Sequence, residues 1–255
     1  MNNDQATNTT AENSKVPFLS IAAPVYNEED NIESVVRHWL LCIESLEVTA
    51  QIVLCNDGSQ DRTAEILDKL TKEIPNLLVV GGPDNHGYGH ALSTAIKHCS
   101  GEYIATIDSD GQFDLQDLEQ MLVKVQEEDC EGVTGYRVKK EDSLIRVLAD
   151  RCLNLIVRVL FGTRLRDTNC ALKLVRRDLM QSLNPEATGY PFPTEICMKL
   201  EARGVKLGET PVRHLEREAG ISKLKVWNTG MRMLGFLLYL RLRLWLVKST
   251  IIREI

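Results

Sequence analysis

Hydrophobic and polar positions alternate along this chain in blocks of two kinds. Short apolar runs, FLSIAA at 18–23, QIVLC at 51–55, LLVV at 77–80 and EYIATI at 102–107, are bounded by Pro, Gly, Asn or Asp. Runs of that length flanked by turn formers read as buried strands. Between them lie longer stretches with apolar residues every three or four positions. Ile32, Val35, Val36, Trp39, Leu40 and Ile43 keep that spacing and predict a helix over 30–45, with others over 61–72 and 88–99. The alternation continues with a helix over 117–128, a strand at 132–135 and a long amphipathic helix over 142–160. A strand within 167–175 then runs into a helix. Phe192-Pro193-Thr194-Glu195 opens a helix to 202, and 205–212 reads as a strand.

Strand and helix repeating at about 30 residues per unit predict an α/β fold, a mostly parallel sheet with helices on both faces. Such sheets bind ligands outside the carboxyl ends of their strands. Three predicted ends carry polar loops: Pro24-Val25-Tyr26-Asn27-Glu28, Asn56-Asp57-Gly58-Ser59 and Asp108-Ser109-Asp110. Each alone suits an ordinary turn, because Asp, Asn, Ser and Gly are turn formers. Three on one edge favour a binding site. Two carboxylates two residues apart can hold a divalent cation and, through it, a phosphate.

Length and charge refine this picture. A chain of 255 residues with 44% hydrophobic content suits one sizeable domain. The net charge of −6 is uneven: residues 213–255 carry nine Lys/Arg against three Asp/Glu, leaving −12 on the remainder. That segment suits an anionic partner such as phosphate or lipid headgroups, and equally a basic helix packed on an acidic domain. Overall acidity argues against nucleic acid. The seven cysteines form no C-x-x-C and no Cys/His cluster. They read as buried thiols of a reducing, cytoplasmic compartment.

The expected division is a disordered polar tail over 1–15, one domain over 16–228 and a basic amphipathic helix over 229–255. The tail has no apolar core and is no signal peptide. MRMLGFLLYLRLRLWLV at 231–247, interrupted by Arg232, Arg241 and Arg243, is too short in charge-free length to span a bilayer. It suits a peripheral position at the inner face of the cell membrane, and equally packing on the core or on a second copy in a homo-oligomer. A dinucleotide fingerprint is missing: Gly82, Gly87 and Gly89 follow the third strand at the wrong spacing.

Taken together, APVYNEEDNI (23–32), CNDGSQDRT (55–63), NHGYGHAL (85–92) and IDSDGQFD (107–114) resemble the family 2 glycosyltransferases. GYR (135–137), DTNCALKLVRRD (167–178), GYPFPTEI (189–196) and REAGISKLK (217–225) are similar to the branch containing dolichol-phosphate mannose synthase and bactoprenol glucosyltransferases. The resemblance implies a GT-A fold and an inverting, metal-dependent transfer of one sugar. The donor would be a UDP- or GDP-linked sugar and the acceptor a polyprenyl phosphate. It puts Asp108 and Asp110 at Mg²⁺ or Mn²⁺, with Gln112 as a further ligand. Pro24, Tyr26, Glu28, Asp57 and Ser109 join them around the donor, Asp57 at the base or ribose.

Arg137, Arg217, Ser222 and Lys223 fall near the acceptor, and Arg217 with Asp167 at the reacting centre. A lipid phosphate arrives ionised and needs little base help; a hydroxyl needs a carboxylate, Asp167 or Glu195, of which the resemblance favours Asp167. There are departures. Cys170-Ala171-Leu172 stands where relatives carry Ser-Gly-Phe, many relatives end in transmembrane helices, and the QxxRW signature of processive synthases is absent. A soluble or glycan hydroxyl acceptor, and a non-catalytic nucleotide-sugar-binding protein, are the alternatives.

Overall fold

Strand β1 (Leu19–Val25) sets the architecture, because its side chains alternate between two apolar layers. Leu19, Ile21, Ala23 and Val25 enter one buried cluster and Ala22 the other. A strand buried on both faces needs no polar face, which is why it reads as an unbroken apolar run. The structure, a computed structural model, describes residues 16–128, 130–138, 144–215 and 226–249. The expected tail over 1–15 lies outside them.

In chain order the elements are β1, α1 (Ile32–Ser45), β2 (Ala50–Asp57), α2 (Thr63–Glu73), β3 (Leu77–Gly82), α3 (Tyr88–Lys97) and β4 (Tyr103–Thr106). A single 3-10 turn (Leu115–Asp117) leads into α4 (Leu118–Glu127), followed by β5 (Gly132–Arg137), α5 (Leu144–Phe161), β6 (Lys173–Arg176) and α6 (Arg177–Ser182). The chain continues through α7 (Phe192–Ala202), β7 (Leu207–Val212) and α8 (Val226–Lys248).

The strands form one seven-stranded sheet in the order β3-β2-β1-β4-β6-β5-β7. All neighbours are parallel except β6, which runs against both β4 and β5. The strand expected within 167–175 is therefore shorter and reversed. Its first half is held as a loop by Lys173, a buried lysine whose Nζ donates to Thr134 Oγ1 (3.1 Å), Thr168 O (3.1 Å) and Cys170 O (2.7 Å). Thr106 at the end of β4 donates to Ala171 O at 2.7 Å and fixes the same loop. Six strands thus end on one edge, and the loop before β6 stays there.

Helices α1, α2 and α4 cover one face of the sheet, and α3, α6 and α7 the other. Trp39 of α1 is 1% exposed and is the largest side chain in the first layer; truncating such a residue costs about 3–5 kcal/mol. A third cluster joins α5, α7 and α8 through Val157, Met198, Leu237, Leu240 and Leu244. Helix α8 is apolar on two opposite sides: Met233, Leu237, Leu240 and Leu244 are buried, while Met231, Leu238, Leu242 and Trp245 are exposed. The helix expected over 229–255 is present as α8, and it begins at Val226. Among the described residues no helix is long and apolar enough to cross a membrane.

Candidate active site

Strand β1 pairs with β2 on one side and β4 on the other, so the carboxyl ends of all three are neighbours. Val25 lies opposite Asn56, and Ala22 opposite Thr106. This is where the strand order reverses, and such reversals open a crevice at the carboxyl edge. The loop after β1 is locked to the loop after β2. Asn27 takes a left-handed conformation (φ 53°), which Asn tolerates better than most residues. Its N–H donates to Ser59 Oγ at 3.0 Å and its Oδ1 accepts from Gln60 N at 2.7 Å. Glu28 N donates to Thr63 Oγ1 at 2.9 Å. Tyr26 and Glu28 are half-buried on this shared loop.

Asp57 is 5% exposed, and its carboxylate accepts from His86 N and Gly87 N, each at 2.9 Å. Gly87 is the N-cap of α3, where a negative charge is favoured by the free N–H groups. Asp57 therefore holds the loop before α3 against the β2 end. Gly58, at φ +69°, lets that loop approach: a Cβ there would lie 2.6–2.7 Å from backbone atoms of 83–85.

The two acidic residues after β4 are held differently. Asp108 Oδ1 accepts from Tyr88 Oη at 2.8 Å. Burial, then the charges of Asp108 and Asp110, push the Tyr88 phenol well above its ordinary pKa, so it stays a donor. Asp110 Oδ1 accepts from Gln112 N at 3.1 Å across Gly111, which is left-handed at φ +76°. Ser109, between them, donates to Pro24 O at 2.7 Å and ties the β4 end to the β1 end. Gln112 Nε2 donates to Leu215 O at 3.3 Å.

The donor set suits a divalent cation. Asp108 and Asp110 supply hard carboxylate oxygens two residues apart, with the Gln112 amide two residues further on, which are the ligands Mg²⁺ and Mn²⁺ prefer. Tyr88 occupies one lone pair of Asp108, and a carboxylate has about four.

Arg137 and Asp167 form a second constellation at the ends of β5 and of the loop before β6. The guanidinium is bidentate on the carboxylate: Nε to Oδ2 at 2.7 Å and Nη2 to Oδ1 at 2.9 Å. Arg137 Nη2 also reaches Asp150 Oδ1 at 3.3 Å. The side chains of Arg137 and Asp167 are 10% and 4% exposed. They border a cavity of about 320 Å³ that Arg151, Arg158 and Arg166 also line. Glu195, the other carboxylate considered as a base, is fully buried in α7. It pairs with Lys199 at 2.8 Å and accepts from Glu186 N and Ala187 N, a structural role. Arg217, Ser222 and Lys223 lie outside the described residues.

The model of glycosyl transferase family 2 matches residues 20–181 of this sequence, more than half of the chain. The chain belongs to glycosyl transferase family 2. It is 30% identical over 209 residues to an undecaprenyl-phosphate 4-deoxy-4-formamido-L-arabinose transferase of Salmonella choleraesuis, covering 80% of this chain and 62% of that protein. It is 27% identical over 235 residues to a low-salt glycan biosynthesis hexosyltransferase of Haloferax volcanii, covering 90% and 55%. The chain thus spans somewhat over half the length of these relatives.

Among solved structures, glucosyl-3-phosphoglycerate synthase of Mycobacterium tuberculosis with phosphoglyceric acid superposes with a TM-score of 0.68 at 19% identity, over 88% of this chain and 80% of that one. The same enzyme with Mn²⁺, UDP-glucose and phosphoglyceric acid gives a TM-score of 0.66 at 21% identity, with the same coverage. The fold of this family 2 glycosyltransferase is accordingly GT-A.

Sequence reasoning missed three residues at this edge. Tyr88 is only the first residue of the predicted helix over 88–99; tertiary packing of α3 puts its hydroxyl on Asp108. Arg213 binds Asp114 (Nη1, 2.9 Å) and Asp117 (Nη2, 2.8 Å), and so moors the end of β7 to the start of α4. His214 stacks edge-on against Phe113, centroids 5.3 Å apart, and its backbone bridges to Phe113. One His/Cys/Asp group occurs among the described residues: His38, Cys42 and Asp114, with ligand atoms within 4.8 Å. Arg213 already neutralises Asp114, so this group belongs to the same mooring.

Proposed function

We propose that this family 2 glycosyltransferase moves one sugar from a nucleotide-sugar donor to a polyprenyl phosphate, with inversion and with Mg²⁺ or Mn²⁺. The observation that carries the reading is the Asp108–Tyr88 contact beside Asp110, at the crevice where the β1, β2 and β4 ends meet. The acceptor class rests on the relative named for undecaprenyl phosphate. In this reading Asp108 and Asp110 hold the cation, with Gln112 a third ligand. Pro24, Tyr26, Glu28, Asp57 and Ser109 shape the donor site. Arg137, Arg217, Ser222 and Lys223 face the acceptor phosphate.

A divalent cation held by Asp108 and Asp110 would supply the positive charge that makes the diphosphate a leaving group. An acceptor phosphate oxygen forms a bond to the anomeric carbon as the bond from that carbon to the diphosphate oxygen breaks. The nucleoside diphosphate departs with the electron pair, and no proton has to move. Asp167 fixes the orientation of the Arg137 guanidinium by taking its Nε and Nη2 edge bidentately. Both carboxylate oxygens of Asp167 are taken up by Arg137, which favours an ionised acceptor over a hydroxyl that needs a base.

Two measurements test the reading. Calorimetric binding of UDP and GDP, each with and without Mn²⁺, should show metal-dependent binding of one nucleotide. Sugar transfer to undecaprenyl phosphate should then proceed with the matching donor class. Metal-dependent binding without transfer to the lipid phosphate would keep the donor site and remove the acceptor; binding of neither nucleotide would remove both.

A further inference from the structure

The helix pair α5 and α8 presents an exposed outer surface, which on α5 adjoins the cavity beside Arg137 and Asp167 through Arg151, Leu155 and Arg158. On α5, Leu148, Leu155 and Val159 are each more than 60% exposed, and Cys152 is exposed with them. These positions step by four, three and four, so at about 100° per residue they form one stripe. On α8, Met231, Leu238, Leu242 and Trp245 are each more than half exposed and step by seven, four and three, a second stripe. The opposite sides of both helices, Val157 on α5 and Met233, Leu237, Leu240 and Leu244 on α8, form the buried cluster that joins them. Each helix therefore has one apolar side in the core and another in solvent.

The charges that α5 and α8 themselves expose beside these stripes are cationic, while Glu186 from the segment before α7 reaches Tyr239 and Arg243. Arg232 and Tyr239 flank the α8 stripe on one side and Arg241 and Lys248 on the other, all exposed. Arg151 and Arg158 flank the α5 stripe and are exposed. Helix α8 contains no Asp or Glu, and the single acid on α5, Asp150, is bound to Arg137. This cationic fringe stands on a chain whose net charge is −6. Apolar side chains edged by Arg and Lys, with an aromatic at the margin, fit the headgroup boundary of an anionic bilayer.

We propose that the outer faces of α5 and α8 together dock the protein on an anionic lipid surface, with Leu155, Val159, Leu238, Leu242 and Trp245 inserted and the arginines on the headgroups. The inference rests on the helices themselves and is independent of the acceptor assignment. Removing α8 is no test, because it would also strip the core cluster it shares with α5 and α7.

The test is co-sedimentation of the full chain with phosphatidylcholine vesicles, with and without about 30 mol% phosphatidylglycerol, lacking any polyprenyl phosphate. The native chain should pellet with the anionic vesicles only, and less so in high salt. Leu238→Glu/Leu242→Glu on α8 and Leu155→Glu/Val159→Glu on α5 should each lower the bound fraction roughly tenfold or more, with unchanged circular dichroism and unchanged nucleotide binding. A native chain that stays in the supernatant overturns the proposal. So does a native dimer that the glutamate variants dissociate, which would assign the face to a second copy. Loss of binding in the α8 variant alone overturns the joint platform.

Discussion

Tyr88 Oη lies 2.8 Å from Asp108 Oδ1 and comes from the helix on the opposite side of the sheet from α1. The contact orients one carboxylate of the proposed cation site from behind. Tyr88 also stacks on Tyr190, centroids 6.1 Å apart, so Tyr88→Phe leaves the ring in place and removes only the donor. A hydrogen bond to a charged acceptor contributes about 1.5–3 kcal/mol. Tyr88→Phe should weaken Mn²⁺-dependent nucleotide binding by roughly tenfold or more without lowering the melting temperature by more than a few degrees. Calorimetry decides; unchanged affinity would mean that the phenol merely fills space.

Asp110→Ala removes a carboxylate that accepts the Gln112 N–H at 3.1 Å. The fold should survive, because Ser109 and Thr106 hold the β4 end independently. Nucleotide binding should lose its dependence on Mn²⁺. A variant that still binds more tightly with metal than without it would sink the cation assignment.

The sheet was legible where strands are buried on both faces and bounded by turn residues. β1, β2, β3 and β4 each fall within two residues of the runs that foretold them. The reversed β6 was not, because nothing local marks direction; a buried Lys173 bonded to three oxygens decides it through tertiary contacts. The acidic loops were legible as a set, since strand ends of a parallel sheet must converge. What each carboxylate touches was not: Asp57 turned out to hold the α3 loop and Asp167 to hold Arg137, partners 29 to 30 residues away. The two-sided character of α8 was hidden because apolar stripes on opposite sides of a helix cancel in its 3.6-residue periodicity.

Arg137 and Asp167 are a desolvated bidentate pair, and removing one partner leaves the other charge buried. Arg137→Ala and Asp167→Ala should each destabilise the protein by about 3–5 kcal/mol. Arg137→Lys should rescue little, because an ammonium lacks the planar fork. Denaturant unfolding of the two singles and the double gives the coupling. If the singles are additive in the double, the pair contributes no interaction energy.

Six of the seven cysteines are buried, and Cys152 alone is exposed. Burial pushes the Cys55 thiol up to about 11 and the Cys99 and Cys170 thiols up to about 12. Thiolate is the reactive form, so these react slowly at pH 8. A native sample treated with a thiol-reactive dye should release one fast equivalent, absent in Cys152→Ser, and the rest only on denaturation. Two fast equivalents would show that a second thiol opens readily.

Glu186 joins α8 to the segment before α7: Oε1 lies 2.9 Å from Arg243 Nε and 3.2 Å from Lys199 Nζ, and Oε2 accepts from Tyr239 Oη. Two residues on, Thr188 O accepts from Gly89 N at 2.8 Å, so the same segment backs Tyr88. Burial alone would raise the Glu186 pKa, but the Tyr239 hydrogen bond and the two cations outweigh it and hold it below 4.5. A carboxylate whose folded pKa is depressed stabilises the fold above its unfolded pKa, and that contribution is lost as pH falls through the folded value. Glu186→Gln should therefore cost about 1–2 kcal/mol at pH 7, and the gap to the native protein should shrink as pH drops below 4.5. Urea unfolding of both proteins at neutral and acid pH isolates this residue, since every other carboxylate is common to the two. A gap that stays constant across that range would mean that Glu186 acts through its shape and not its charge.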